Sequence, residues 1–170
     1  RASLGVDYSG VGGDVDDLAY SVSVAKHIEL PYDIILNGSA KYQKSDGDHI
    51  FTRQFLGGAN NLRGFDFRDV GPKDPDSLEG VGGDEAWNAT VEATVPLVTK
   101  IRGAVFYDLG EVSGGPEGTV GGGMNSNYGV GLRLFLLGAA PVRLDYGIPV
   151  DSDEFNDSSG RFNFTIGAQF

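Results

Sequence analysis

The last ten residues of the chain alternate between two kinds of side chain, and this alternation constrains the fold more than any other feature. Every second position is apolar: Phe162, Phe164, Ile166, Ala168 and Phe170. Polar or small residues fill the positions between them. Because successive side chains of a β-strand point to opposite faces, a repeat of two predicts a strand between two different environments.

The same alternation recurs upstream, and no segment has the spacing of an amphipathic helix. We predict eight strands, over residues 2–10, 18–25, 32–43, 87–95, 101–109, 127–136, 142–150 and 161–170. Three predicted connections are short, at residues 30–32, 96–100 and 137–141. Four are long and polar, at residues 10–16, 44–84, 111–125 and 151–160. Strict alternation of short and long connections predicts an antiparallel up-and-down sheet.

The polar face of these strands carries too much charge for a dry core. Its charged members are Lys41, Glu92, Arg102, Asp108, Arg133, Arg143 and Asp145. The opposite face is rich in Leu, Val, Tyr and Phe. An apolar outside and a polar inside are typical of a transmembrane β-barrel. The alternative for any single strand is a soluble antiparallel sheet with one wetted face.

Composition excludes several classes of function. The chain has no Cys, which excludes a disulfide framework and thiolate metal sites. A net charge of −11 with only 13 Lys and Arg argues against nucleic-acid binding. His27 and His49 lack the spacing of metal ligands, and no set of nucleophile and base stands out. We therefore expect no catalytic residue, no metal, no cofactor and no enzymatic activity.

The long connection over residues 44–83 is unusual because it is both long and apolar. Such a loop in a compact protein is usually functional or disordered. Its apolar side chains argue against disorder; they are Phe51, Phe55, Leu56, Leu62, Phe65 and Phe67. We expect this loop to pack inside the barrel.

Three motifs in and after this loop occur in a specific order. Residues 57–65 read Gly-Gly-Ala-Asn-Asn-Leu-Arg-Gly-Phe, residues 70–73 read Val-Gly-Pro-Lys, and Phe106, Asp108 and Gly110 alternate in a later strand. This order, followed by a final strand ending in Phe, resembles the BamA-type insertase family, the bacterial surface antigen C-terminal barrel domain. The resemblance covers all 170 residues.

The resemblance implies that residues 1–170 are the last eight strands of a sixteen-stranded outer-membrane barrel. Such a protein folds and inserts barrel proteins into the outer membrane by strand pairing at a lateral gate. Its implied partners are outer-membrane lipids, unfolded outer-membrane proteins, and the lipoproteins of an assembly complex, which bind through an N-terminal part. The implied location is the outer membrane of a Gram-negative-type bacterium.

The resemblance also assigns roles to residues. The loop would be locked in the lumen by the motif Leu62, Arg63, Gly64 and Phe65. Its partners on the barrel wall would be Glu92, Phe106, Asp108 and Gly110, and strand parity independently places Glu92, Phe106 and Asp108 inward. The terminal strand would carry an assembly signal made of Phe162, Phe164, Ile166, Gly167 and Phe170.

Two other functions remain open at this point. One is a two-partner secretion or translocation pore of the same superfamily, which shares the Arg-Gly-aromatic loop. The other is a self-contained eight-stranded structural barrel, although a closed barrel of that size is filled by side chains and has no room for the loop. An isolated half-barrel could also pair with a second copy as a homodimer.

Overall fold

The computed structural model describes residues 1–9, 17–46, 50, 52–135, 141–156 and 158–167. These residues form one antiparallel sheet of eight strands in the order β1 to β8. The strands are β1 (Ala2–Ser9), β2 (Asp17–Leu30), β3 (Ile34–Ser45), β4 (Glu85–Val98), β5 (Ile101–Ser113), β6 (Asn125–Leu134), β7 (Val142–Asp151) and β8 (Arg161–Ile166). Within the described residues, no helix has the length and apolar character needed to cross a membrane.

The predicted fold class, an all-β up-and-down meander, is confirmed, because each strand pairs with the next one along the chain. Most strands differ from the prediction at one or both ends, with β2 continuing to Leu30 and β5 to Ser113. The third strand begins at Ile34, because Tyr32 and Asp33 have φ angles of 65° and 58° and belong to a 3-10 turn. The fourth continues past Pro96 to Val98. Its register shifts there, and such an irregularity tolerates a proline that donates no hydrogen bond.

The two faces of the sheet differ as the alternation predicts. We call the face that carries the long loop the inner face and the opposite one the outer face. Large apolar side chains stand exposed on the outer face, among them Val22, Val91, Val105, Val130, Phe162 and Phe164. Buried polar and charged side chains occupy the inner face, among them Glu92, Thr94, Asp108, Asn127, Arg133 and Asp145. This is the polarity of a membrane barrel wall, inverted relative to a soluble sandwich.

The sheet is open rather than closed. Within the described strands, β1 pairs only with β2, and β8 pairs only with β7. The alternative of a self-contained eight-stranded barrel is therefore wrong, because closure requires hydrogen bonds between the first and last strands. The described sheet is half of a barrel wall. The predicted strand residues 168–170 and the turn residues 137–140 lie outside the described part.

The outer face yields a first prediction. Val105 lies near the middle of β5 and is 57% exposed on the outer face. In the full-length protein folded in lipid vesicles, Val105→Arg is expected to lower the free energy of unfolding by about 2–4 kcal/mol, because the charge meets hydrocarbon. Denaturant titration measures the effect. Val105→Ile serves as the matched control, and equal stability of the two variants would show that this face does not contact lipid.

Candidate functional site

The long loop, residues 46–84, is the centre of the candidate site, and we call it the inner loop. It is ordered by four isolated β-bridges rather than by regular strands. These join Gln54 to Gly83, Leu56 to Val70, Lys73 to Gly80, and Lys73 to Val120 of the next long loop. The bridges fold the inner loop into a compact layer.

An apolar cluster holds this layer against the sheet. Its members are Leu56, Leu62, Phe65 and Val70 of the inner loop, with Ala86 of β4 and Val112 of β5, and each is at most 2% exposed. Removing such side chains from water supplies the non-directional part of the attachment. Gly110 makes room for it, because a Cβ there would lie 3.0 Å from both Leu56 and Leu62.

Arg63, at the tip of the inner loop, provides the directional part. Its Nε and Nη2 donate to the two carboxylate oxygens of Asp108 at 2.9 and 2.7 Å, and its Nη1 donates to Glu92 at 2.6 Å. The guanidinium carbon also lies 3.4 Å from the centre of the Phe106 ring. The side chain is therefore bonded at its edges and stacked on one face, a combination that only the planar guanidinium permits.

The acceptors are held in place by further donors. Asp108 is fully buried and also accepts hydrogen bonds from the Thr90 hydroxyl at 2.9 Å and the Asn127 amide at 3.0 Å. Glu92 accepts two more hydrogen bonds from Arg133, at 3.1 and 2.6 Å. Each carboxylate is thus positioned by neighbouring strands before the arginine of the inner loop reaches it.

Two residues of β7 complete a network of six charged groups. Asp145 accepts a hydrogen bond from Arg133 at 2.6 Å, and lies 3.1 Å from Arg143 Nε and 3.5 Å from Arg63 Nη1. Three arginines and three carboxylates are thereby brought together, so their formal charges cancel. Balanced charge is what makes burial of such a network tolerable.

The network also sets the protonation of Arg63. Burial opposes the charged guanidinium and on its own lowers the pKa of Arg63. The hydrogen bonds and negative charges of Asp108 and Glu92 outweigh burial, and the pKa of Arg63 is raised above its ordinary value. Because arginine is already charged at physiological pH, the attachment does not depend on a nearby pH transition.

Glycines on the inner face let the loop tip approach the sheet. A Cβ at Gly147 would lie 2.6 Å from the carbonyl carbon of Arg63, and one at Gly129 would lie 2.2 Å from the Phe106 ring. Gly64 faces the same constraint, because a Cβ there would lie 2.5 Å from Asn127. Its role is space rather than unusual backbone conformation. Strand glycines commonly mark such close contacts.

A second attachment lies farther along the inner loop. Lys73 is 2% exposed, and its ammonium donates to Asp69 at 2.6 Å and to the carbonyl of Phe155 at 2.9 Å. Its backbone pairs with Val120. Lys73 therefore ties the inner loop to both neighbouring long loops, and the three loops form one layer at the end opposite the short turns.

The structure brings most of the predicted site residues together. Leu62, Arg63, Gly64 and Phe65 lie against Glu92, Phe106, Asp108 and Gly110. The predicted signal residues of the terminal strand lie elsewhere. Phe162, Phe164 and Ile166 are exposed on the outer face, Gly167 follows β8 with a φ of 79°, and Phe170 lies outside the described residues.

One packing expectation was wrong and several contacts were missed. Phe67 does not pack inside; its side chain is 79% exposed. The alternation of the strands placed Arg133 and Asp145 on the inner face but did not connect them to the lock. Alternation shows which face a side chain is on and does not show which residues it contacts. Lys73 belongs to the motif at residues 70–73, for which no partner was predicted. Its acceptor, the Phe155 carbonyl, comes from a loop 82 positions away, and no sequence signal marks it.

The arrangement attaches the inner loop to the sheet. Each of its three carboxylates forms an ion pair with at least one arginine. In the part of the chain that the structure describes, no group of His, Cys, Asp or Glu is arranged to hold a metal. The chemical capacity of this site is to fix the inner loop to β4, β5 and β7.

The glycine contact yields a second prediction. Gly147→Ala is expected to displace the loop tip, because the new methyl would overlap backbone atoms of Arg63 that lie within 2.7 Å. We expect a loss of about 1–3 kcal/mol in the free energy of unfolding of the full-length protein, as for other overpacked sites. Gly38→Ala on β3 is the control, since its Cβ would meet nothing within 4 Å. Equal stability of both variants contradicts the close approach.

Comparison with known proteins agrees with this geometry. The Omp85 superfamily domain matches residues 1–170. The chain is 27% identical over 169 residues to the outer membrane protein assembly factor BamA of Nitratidesulfovibrio vulgaris, covering 94% of this chain and 21% of that protein. It is 29% identical over 121 residues to BamA of Neorickettsia risticii, covering 65% and 16%. It is also 27% identical over 181 residues to a SAM50-like protein of Drosophila melanogaster, covering 96% and 39%.

A solved structure shares the fold. The crystal structure of BamA from Haemophilus ducreyi lacking POTRA domains 1–3 superposes with a TM-score of 0.71 at 16% identity, over 95% of this chain and 37% of that one. The chain thus spans well under half the length of each of these relatives. The domain match and the apolar outer face of the sheet together establish that the chain belongs to the Omp85 superfamily and forms part of an outer-membrane β-barrel.

Proposed function

We propose that this domain serves an outer-membrane protein assembly factor, which folds and inserts β-barrel proteins into the outer membrane without enzymatic chemistry. The observation that carries the proposal is the locked inner loop, in which Arg63 joins Asp108 and Glu92 beneath a sheet with an apolar outer face. The names of the relatives, two assembly factors and a SAM50-like protein, point in the same direction.

The proposed mechanism uses the edges of the sheet. A strand at an edge presents unpaired backbone groups, which are a template for pairing with another chain. We propose that β8 forms one side of a lateral gate and that an unfolded outer-membrane protein adds its strands there. Outer-membrane lipids and the lipoproteins of an assembly complex are the other proposed partners. The locked inner loop supports this mechanism because it holds β4 to β7 rigid while an edge exchanges partners.

The proposal predicts that loss of the lock impairs assembly. Arg63→Ala leaves Asp108, Glu92 and their neighbours with an uncompensated buried negative charge, a defect that typically costs about 3–5 kcal/mol. We expect the full-length variant, reconstituted in lipid vesicles, to insert an unfolded reporter barrel several-fold more slowly than the wild-type protein. The measurement is the rate at which the reporter becomes protease-resistant.

Arg68→Ala is the matched control, because Arg68 belongs to the same loop but is exposed, and its guanidinium lies over the rings of Phe55 and Phe67 rather than on the buried carboxylates. This variant should insert the reporter at the wild-type rate. Two results would count against the proposal: full activity of Arg63→Ala, or a wild-type protein that inserts the reporter no faster than empty vesicles. A wild-type protein that instead exports a soluble passenger would favour the secretion pore.

The geometry also predicts that exchanging the charges of the pair fails to restore the lock. In Arg63→Asp with Asp108→Arg, the new aspartate would face Glu92, whose oxygen lies 2.6 Å from the present Nη1 of Arg63. The shorter aspartate can neither replace the hydrogen bond that Nη1 gives to Glu92 nor neutralise that carboxylate, and like charges repel in a buried site. We expect the double variant to insert the reporter no faster than Arg63→Ala. Recovery to the wild-type rate would mean that Glu92 does not contribute to the lock.

A further inference from the structure

Within the described residues, which end at Gly167, the terminal strand β8 has the fewest paired positions in the sheet, and Gly167 adds a backbone hydrogen bond to Pro141. Strand β8 pairs with β7 at six positions, from Arg161 to Ile166, whereas β4 and β5 pair at thirteen. Its other edge pairs with none of the described strands. Short edge strands open more easily than interior strands, because each carries few hydrogen bonds and little buried area. Additional contacts to β8 therefore matter more than equal contacts elsewhere.

Two inner-facing side chains of β8 reach the tip of the inner loop. The amide of Asn163 donates to the backbone carbonyl of Arg63 at 2.8 Å. The guanidinium of Arg161 lies 2.7 Å from the carboxylate of Asp66. Both contacts therefore end on residues 63–66, a segment that overlaps the lock motif.

The side chain of Arg63 and its backbone carbonyl contact different strands of the sheet. Its side chain binds Asp108 of β5 and Glu92 of β4, whereas its carbonyl accepts the hydrogen bond from Asn163 of β8. The backbone between these contacts lies on Gly147 of β7. Residues 63–66 thus contact β4, β5, β7 and β8, partly through their own side chains and partly through side chains that reach them from the sheet.

We propose that the loop tip is a clamp for the terminal strand, and that Asn163 and Arg161 are the positioning residues that couple β8 to the Arg63 lock. The inference rests on the proposed function only because it takes β8 to be one side of the lateral gate. A terminal strand held from inside keeps its register with β7 while its free edge exchanges partners. The clamp therefore determines which backbone groups of β8 are presented to an incoming strand.

The two contacts are not equivalent. The Arg161–Asp66 pair is partly exposed, with 59% of the Asp66 side chain accessible, and exposed ion pairs contribute little because solvent screens them. The Asn163 hydrogen bond is partly buried, and its loss would leave the carbonyl of a buried residue without this donor. We therefore expect Asn163 to carry most of the coupling.

Hydrogen exchange in the full-length protein tests the clamp without any substrate. In Asn163→Leu, the amides of residues 161–167 should exchange about five- to tenfold faster, the factor expected for loss of one buried hydrogen bond. Peptides from β6 should exchange at the wild-type rate. Thr165→Val is the matched control, because Thr165 shares the strand and the face but makes no described side-chain hydrogen bond to the tip.

A double variant separates coupling from simple loss of stability. In Arg63→Ala the tip is already released from β4 and β5, so adding Asn163→Leu should not accelerate exchange in β8 any further. Unchanged exchange in Asn163→Leu, or additive acceleration in the double variant, would overturn the clamp. Because exchange is measured without an unfolded reporter, a failed clamp is distinguishable from a failed assembly assay, which depends on insertion of that reporter.

Discussion

The structure depends on a single buried arginine that comes from a loop rather than from the sheet. The inner face carries three carboxylates, those of Asp108, Glu92 and Asp145. Without the inner loop, only two arginines, Arg133 and Arg143, would balance them, and Arg63 supplies the third positive charge. Buried charges are tolerated only when they are paired and hydrogen-bonded. The inner loop is therefore attached to the sheet by Arg63, and the same residue supplies the charge that the buried carboxylates of the sheet need.

The fold could be predicted because its signal is local. The alternation around Val105 and Val130 fixes which side chains share a face, and the lengths of the connections fix the order of the strands. Strand ends were less predictable, since the left-handed backbone of Tyr32 and the register shift beside Pro96 arise from turn geometry rather than from polarity. The resemblance identified the lock motif, and parity placed three of its partners inward.

The remaining contacts of the site could not be predicted from the sequence, because they join distant segments through backbone atoms. The Asn163 amide binds a carbonyl one hundred positions away, and any residue could supply that carbonyl. Gly129 and Gly147 were a usable signal: two inner-face glycines on neighbouring strands indicate that something approaches the sheet closely there. Their positions in the register, directly opposite each other, would have located the loop tip on β6 and β7.

The unequal coverage of the inner face has a mechanical consequence. The loop tip lies across β4 to β8, whereas a polar cleft of about 190 Å³ separates residues 59–61 from β2 and β3. A sheet bends most easily about an axis parallel to its strands, because neighbouring strands are joined by hydrogen bonds rather than by the covalent backbone. The loop tip links β4, β5, β7 and β8 to one another, whereas β3 is joined to the inner loop by Gln43 and Gln54, and the turn before β3 is joined to β5 by Asp33 and Arg102. We therefore expect bending of the sheet to concentrate in β2 and β3, on the side of this cleft.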